Sequence, residues 1–266
     1  MSGFSDRLFE ASEFLRHQWH AKTRHGVHSP LVYELMDRTL RLNKTFADFE
    51  RIEAHRQGLL KCHDVLEVQD FGAGSRIFKG ERRRVSHIAQ TALQKPAIAQ
   101  TLFKWINRFQ LKNRLELGTC LGITTAYLAL ANQKGSVYTV EGSPALMAQA
   151  ERTWQALNIP NIYGFTGLFQ DQLAQVFERQ STFDFVYLDG DHRKDKVLAL
   201  WDQLKNRLEP EGWFVLDDIH WSPGMKAAWD HIRADHTVTL SMDFFDVGIV
   251  SCDPKRRKEH FQLNLI

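Results

Sequence analysis

Cysteine is scarce in this chain. Cys62, Cys120 and Cys252 are the only three among 266 residues, and they stand far apart. That spacing offers no disulfide framework and no zinc-ligand pattern, and it is expected of a reducing, cytoplasmic setting. Long apolar runs are also missing, since none approaches the roughly 18 residues of a membrane span. The opening Met-Ser-Gly-Phe-Ser-Asp-Arg lacks the basic-then-apolar pattern of a signal peptide. There is no excess of charge. Lys and Arg number 34 against 32 Asp and Glu, a formal net charge of +2, which argues against a dedicated nucleic-acid binder. No membrane and no nucleic-acid partner are expected, and no internal repeat is found. What remains is an ordinary soluble composition, 43% apolar and 25% charged, with length for one large α/β domain plus a helical extension.

The chain is organised around Arg114–Thr125, Arg-Leu-Glu-Leu-Gly-Thr-Cys-Leu-Gly-Ile-Thr-Thr. It reads as a short strand, a glycine turn and a helix beginning near Ile123. Gly118 and Gly122 let backbone pass close to a ligand, and a helix N-terminus offers free N–H groups there. Ligands of open α/β sheets sit at the carboxyl ends of strands. A tight turn in any βα unit produces the same letters, so the rest of the chain decides.

Before this stretch the pattern is helical. Phe4, Leu8, Ala11, Leu15 and Trp19 recur at helical spacing, making an amphipathic helix that needs a partner surface. Ser29 and Pro30 open the next helix, which runs to about Arg41. Further helices are expected at Phe46–Cys62, Val85–Leu93 and Ala97–Arg108. His17, His20, His25 and His28 cluster without metal spacing. Val65–Ser75 imitates a second strand and glycine turn, with Gly72 and Gly74. A polar run with Arg82–Arg84 follows it instead of an amphipathic helix. It reads as an ordered surface loop, with a second cofactor loop or an approach to an anionic substrate as alternatives.

After Arg114 strands and helices alternate. Strands are expected at 114–118, 136–141, 161–165, 183–189 and 213–217, with helices between them and at Pro223–Ala234. This implies βαβ units and a largely parallel sheet. Two last strands near Val238–Met242 and Phe245–Ser251 are too closely joined for a crossover and must pair antiparallel. Pro254–His260 reads as a solvated charged run.

Glu141 ends the second strand about 20 residues past the glycine turn, where an acidic side chain can accept bonds from two ribose hydroxyls. Nicotinamide dinucleotides and S-adenosylmethionine share that logic. The turn lacks the full fingerprint that cradles a pyrophosphate, so a ligand without phosphate fits better. Asp189 ends the fourth strand, and Asp217 and Asp218 the fifth. Three converging carboxylates repel one another unless a cation neutralises them. A hard divalent ion such as Mg²⁺ suits oxygen ligands; the alternative is that they cap the following helices. His192, three residues past Asp189, can remove a proton from a hydroxyl, and otherwise is a surface or capping histidine. His220 and Trp221 are placed to line an acceptor pocket.

These residues resemble a known group. Residues 112–252 look like a class I S-adenosylmethionine-dependent methyltransferase. Leu115-Glu-Leu-Gly-Thr-Cys-Leu-Gly-Ile-Thr is similar to the first motif of the catechol and caffeoyl-CoA O-methyltransferases. The resemblance implies that Glu116, Gly118, Thr119 and Gly122 lie at the methionine part of the cofactor and that Glu141 and Gly142 lie at the ribose. It also implies that Gly167, Phe169 and Gln170 wall the adenine, as the adenine loop of that group does. Asp189, Asp217 and Asp218 would hold a metal, Asp189 also bordering the cofactor, and His192 would be the base. That base is Lys in catechol-type enzymes, and their Asp-Asn pair is Asp-Asp here, as in sugar O-methyltransferases. The chain also resembles a bacterial branch marked by His-Gly-Val-His-Ser-Pro, Asp-Phe-Gly-Ala-Gly-Ser and Asp-Asp-Ile-His-Trp-Ser.

The implied architecture is a Rossmann-like α/β fold: a mostly parallel seven-stranded sheet with a terminal antiparallel hairpin. Residues 96–266 form the cofactor-binding domain, and residues 1–95 a helical extension that caps the acceptor side or makes a homodimer contact. The expected activity is methyl transfer to an oxygen of a small hydroxylated molecule, with a divalent metal assisting. Metal-independent or nitrogen-directed transfer, a non-catalytic S-adenosylmethionine-binding protein and a nicotinamide-dependent oxidoreductase are the alternatives.

Overall fold

The computed structural model describes residues 2–22, 26–40, 45–69 and 81–264. The chain opens with α1 (Ser2–His20), α2 (Pro30–Leu35), one π-helical turn (Met36–Leu40) and α3 (Ala47–Leu60). A short hairpin follows, β1 (Val65–Glu67) and β2 (Arg82–Arg84), then α4 (Val85–Thr91) and α5 (Pro96–Phe109). Three βα units come next: β3 (Asn113–Leu117) with α6 (Ile123–Ala131), β4 (Ser136–Glu141) with α7 (Pro144–Ala156), and β5 (Ile162–Thr166) with α8 (Phe169–Arg179). Then come β6 (Phe183–Leu188), α9 (Lys194–Leu204), β7 (Leu208–Asp217) and α10 (Pro223–Ala234), and the chain closes with β8 (Leu240–Asp243), β9 (Val247–Ser251) and β10 (Glu259–Gln262). No helix among the described residues is long and apolar enough to cross a membrane.

Two compact units emerge: residues 43–181, and residues 1–42 with 182–266. In the first, β3, β4 and β5 pair in parallel. The β3 residues Arg114–Leu117 are all buried, as strands of a covered parallel sheet must be. Helix α5 buries Ile98, Ala99, Leu102, Phe103, Trp105 and Ile106, one helical face, and begins on Pro96. Arg114 is wholly buried, and its guanidinium donates to the carbonyls of Leu128, Asn132 and Ser136 at 3.0, 2.9 and 3.2 Å. It thereby closes the carboxyl end of α6 against the sheet. The strand-like start of the second glycine stretch is β1, and Gly72 and Gly74 lie outside the described residues.

In the second unit β6 and β7 are parallel, and β9 runs antiparallel to both β7 and β8. This is the expected hairpin. Among the described residues the expected seven strands become eight, because β10 pairs in parallel with β8. The charged run before it is mostly exposed, but Phe261 is buried, which is enough to seat an edge strand and corrects the reading of a merely solvated tail. The backbone N–H of Lys22 donates to Gln262 O at 2.8 Å, tying the end of α1 to β10.

Candidate active site

In the unit of residues 43–181 the glycine turn joins β3 to α6. Gly118, Cys120 and Gly122 all take positive φ, 109°, 51° and 78°. Alternation of this kind turns backbone N–H groups toward one side. Gly122 is needed for a reason other than ligand approach. A Cβ there would lie 2.6 Å from Nε1 of Trp154 and 2.9 Å from Cβ of Ala150, both on α7. Trp154 donates to the Gly122 carbonyl at 3.1 Å, so this glycine sets helix packing behind the turn.

Two carboxylates flank the turn. Glu116 is wholly buried, and one of its oxygens accepts from the hydroxyls of Thr125 and Thr139, each at 2.6 Å. Thr119, 2% exposed, turns its hydroxyl onto Thr139 at 2.6 Å. Glu141 lies at the end of β4 and is half-buried. One of its oxygens accepts from the Cys120 amide at 2.9 Å and the other from the Ser143 amide at 3.0 Å. Burial raises its pKa, and the amides of Ser143, Cys120, Thr119 and Gly142 oppose that rise. The neighbouring Ser143 hydroxyl is buried with no hydrogen-bond partner. Gly167 follows β5 with φ of 144°, and Phe169 and Gln170 open α8, the first half-buried and the second exposed.

The other sequence-predicted residues belong to the second unit. Asp189 follows β6, Asp217 ends β7, and Asp218 follows with a left-handed φ of 54°, a conformation that Asp tolerates better than most residues. The Tyr187 hydroxyl donates to Asp217 at 2.9 Å and reaches Asp189 at 3.3 Å. His192 stands with Nδ1 3.4 Å from Asp218 Oδ2 and Nε2 4.0 Å from Asp189 Oδ1. Its ring centroid is 5.2 Å from that of Trp221. Burial pushes Asp189 up to about 6; His192 opposes this and Asp218 adds to it. Burial also raises Asp217 well above the usual carboxylate range, reinforced by the charges of Asp189 and Asp218. The three carboxylates therefore feel one another, yet no group of three or more His, Cys, Asp or Glu among the described residues is arranged to hold a metal ion.

Residues 115–219 match the family described as a methyltransferase domain. This stretch is similar to a methyltransferase domain. Its Rossmann-like fold is shared with solved structures of low sequence identity. The O-methyltransferase from Bacillus cereus in complex with SAH is 19% identical, with a TM-score of 0.55 over 79% of this chain and 93% of that one. The cofactor-bound Rv0187 from MTB is 15% identical, with a TM-score of 0.57 over 85% and 98%. The O-methyltransferase TomG from Streptomyces achromogenes, in complex with SAM, is 14% identical, with a TM-score of 0.55 over 80% and 92%. No curated protein matches the chain.

Just beyond the matched methyltransferase domain, one expectation is corrected. His220 does not line an acceptor pocket. It is 2% exposed, its Nδ1 lies 3.1 Å from Glu13 and its Nε2 3.0 Å from Asp243. Both ring nitrogens lie against carboxylates, and the ring thereby ties α1 to β8. Tyr187 was not among the candidate site residues. A Tyr two residues before a strand-ending Asp shares its face, and that period-two relation was the available signal.

Proposed function

We propose that the protein transfers the methyl group of S-adenosylmethionine to an oxygen of a small hydroxylated acceptor. The observation that carries this reading is Glu141, held at the end of β4 by the amides of the glycine turn and of Ser143. A carboxylate has about four acceptor sites, so Glu141 retains capacity for the vicinal hydroxyls of a ribose. The buried, unpartnered Ser143 hydroxyl beside it also suits a ligand. Gly118, Thr119 and Gly122, with Glu116 behind them, would border the methionine part, and Gly142 the ribose. Gly167, Phe169 and Gln170 would border the adenine. When bound, S-adenosylmethionine supplies an electrophilic methyl on a sulfonium. The SAH and SAM complexes of similarly folded O-methyltransferases support that choice.

His192 would take the proton from the acceptor hydroxyl through whichever ring nitrogen is unprotonated, with Asp218 orienting the ring. Asp189 and Asp217, held together by Tyr187, would fix the acceptor's polar edge. Position and alignment contribute most to such a displacement, because the attacking oxygen must lie in line with the breaking bond. A divalent cation such as Mg²⁺ would be held by Asp189, Asp217 and Asp218. These are oxygen donors whose mutual repulsion a cation relieves, and its charge would favour the ionised hydroxyl.

The test is methyl transfer from labelled S-adenosylmethionine to a pool of hydroxylated small molecules, by the wild type and by Asp217→Ala. The proposal expects transfer by the wild type, and in the variant its loss with S-adenosylhomocysteine binding nearly intact. Undiminished, chelator-insensitive transfer by Asp217→Ala would remove the cation from the proposal. Transfer by the wild type only to nitrogen would remove the oxygen.

A further inference from the structure

Helix α1 is packed the wrong way round for its sequence. Its apolar residues form a stripe that should lie against a protein core. The structure instead buries the opposite side. Glu13 and His17 are buried, Glu13 3.1 Å from His220 and His17 3.2 Å from Asp243. Leu8, Leu15 and Trp19 are left 58%, 70% and 87% exposed, with Ala11 and Ser12 exposed between them. At about 100° per residue, positions 8, 12, 15 and 19 fall in one narrow arc. Seven large apolar side chains are exposed among the described residues, and these three share one face of α1, while Phe14 on another side packs edge-on against Phe245. Scattered exposed apolar residues need no explanation, but a concentration on one face does.

The charges around the stripe have one sign. The Arg16 side chain is 71% exposed while reaching Glu13 Oε1 at 3.7 Å, and Lys22 is exposed as well. The acids are on the packed side: Glu13 is buried against His220, and Glu10 is half-buried. A second copy of the same face would bring cation to cation. An anionic surface would complement it.

We propose that α1 docks on an anionic phospholipid membrane. It would lie in the interface, with Leu8, Leu15 and Trp19 entering the headgroup boundary and Arg16 and Lys22 meeting phosphates. An exposed Trp at a helix end beside basic residues suits that interface, where an amphipathic ring finds both an apolar and a wet side. Nothing here needs a membrane span; the helix lies on the surface.

The experiment is co-sedimentation of the full chain with phosphatidylcholine vesicles, and with vesicles in which about a third of the lipid is phosphatidylglycerol. The expected result is about ten-fold more bound protein on the anionic vesicles, largely lost in about 0.5 M NaCl. Trp19→Ser with Leu15→Ser should remove the binding, and Arg16→Glu should weaken it several-fold. These side chains point to solvent, so an unchanged thermal midpoint verifies that each variant folds. Equal or absent binding to the two vesicle types would overturn the proposal. So would a concentration-dependent dimer abolished by Trp19→Ser without vesicle binding, which would assign the stripe to a second copy.

Discussion

Gly122 and Trp154 are interlocked. The indole Nε1 donates to the Gly122 carbonyl at 3.1 Å, while a Cβ on residue 122 would stand 2.6 Å from that same nitrogen. The helix after the glycine turn can approach α7 only because residue 122 has no side chain, and its φ of 78° would strain any other residue.

Gly122→Ala should therefore destabilise the fold by about 2–4 kcal/mol, from overpacking and a left-handed backbone together. Chemical denaturation checks the figure. A loss below about 0.5 kcal/mol, the level of an ordinary surface change, would show that Trp154 can move aside.

Asp243 carries the second prediction. Burial works against its charge, but hydrogen bonds from His17 and His220 hold its carboxyl well below the usual range. A depressed carboxylate stabilises fully above about pH 4, its ordinary value, and that stability is lost as the pH falls through the folded value. His17 behaves in the opposite sense. Burial again opposes its charge, yet Asp243 raises its pKa, so its contribution is full below about pH 6.5 and fades as the pH rises through the raised value. Asp243→Asn should cost about 3–5 kcal/mol at pH 6 and flatten both limbs of stability against pH. A variant with the wild-type profile would mean that the network is electrostatically idle.

Tyr187→Phe removes the hydroxyl that donates to Asp217 and Asp189. A donor to a carboxylate favours the ionised form, so its loss should raise both groups further and move the acid limb of the pH–rate profile to higher pH. Turnover at neutral pH should fall about ten-fold, while S-adenosylhomocysteine affinity stays the same. An unmoved acid limb would show that these carboxylates do not govern the rate.

His192→Ala should lower kcat by about 10²–10⁴, the usual range for a general base, with KM for S-adenosylmethionine little changed. His192→Gln should not restore the rate, since an amide cannot take the proton. Steady-state kinetics on any acceptor that gives turnover decides this, and a wild-type kcat in either variant would return His192 to a structural role.

Most of the fold was legible because its signals are local. The alternation after Arg114 and the close spacing of β8 and β9 gave the parallel units and the hairpin. The ends of β4, β6 and β7 were equally plain, because Glu141, Asp189 and Asp217 close apolar runs. What stayed hidden depends on distant partners. Thr119, in the middle of the motif, spends its hydroxyl on Thr139. His220, two residues past Asp218, is claimed by Glu13, 207 residues away in sequence. The helical period of α1 was readable, but not which side would be buried. A buried Glu–His–Asp set outweighed the apolar stripe, and no window of sequence contains it. Likewise β10 rests on Phe261 in a run dominated by charge.

The most direct measurement for the central claim is calorimetric titration of the purified protein with S-adenosylhomocysteine, for the wild type and for Glu141→Ala. The wild type should bind with a dissociation constant on the order of micromolar. The variant, which loses the carboxylate available to ribose hydroxyls, should bind about ten-fold or more weakly. No binding by a folded wild type would contradict the assignment of the glycine turn and Glu141 to this cofactor.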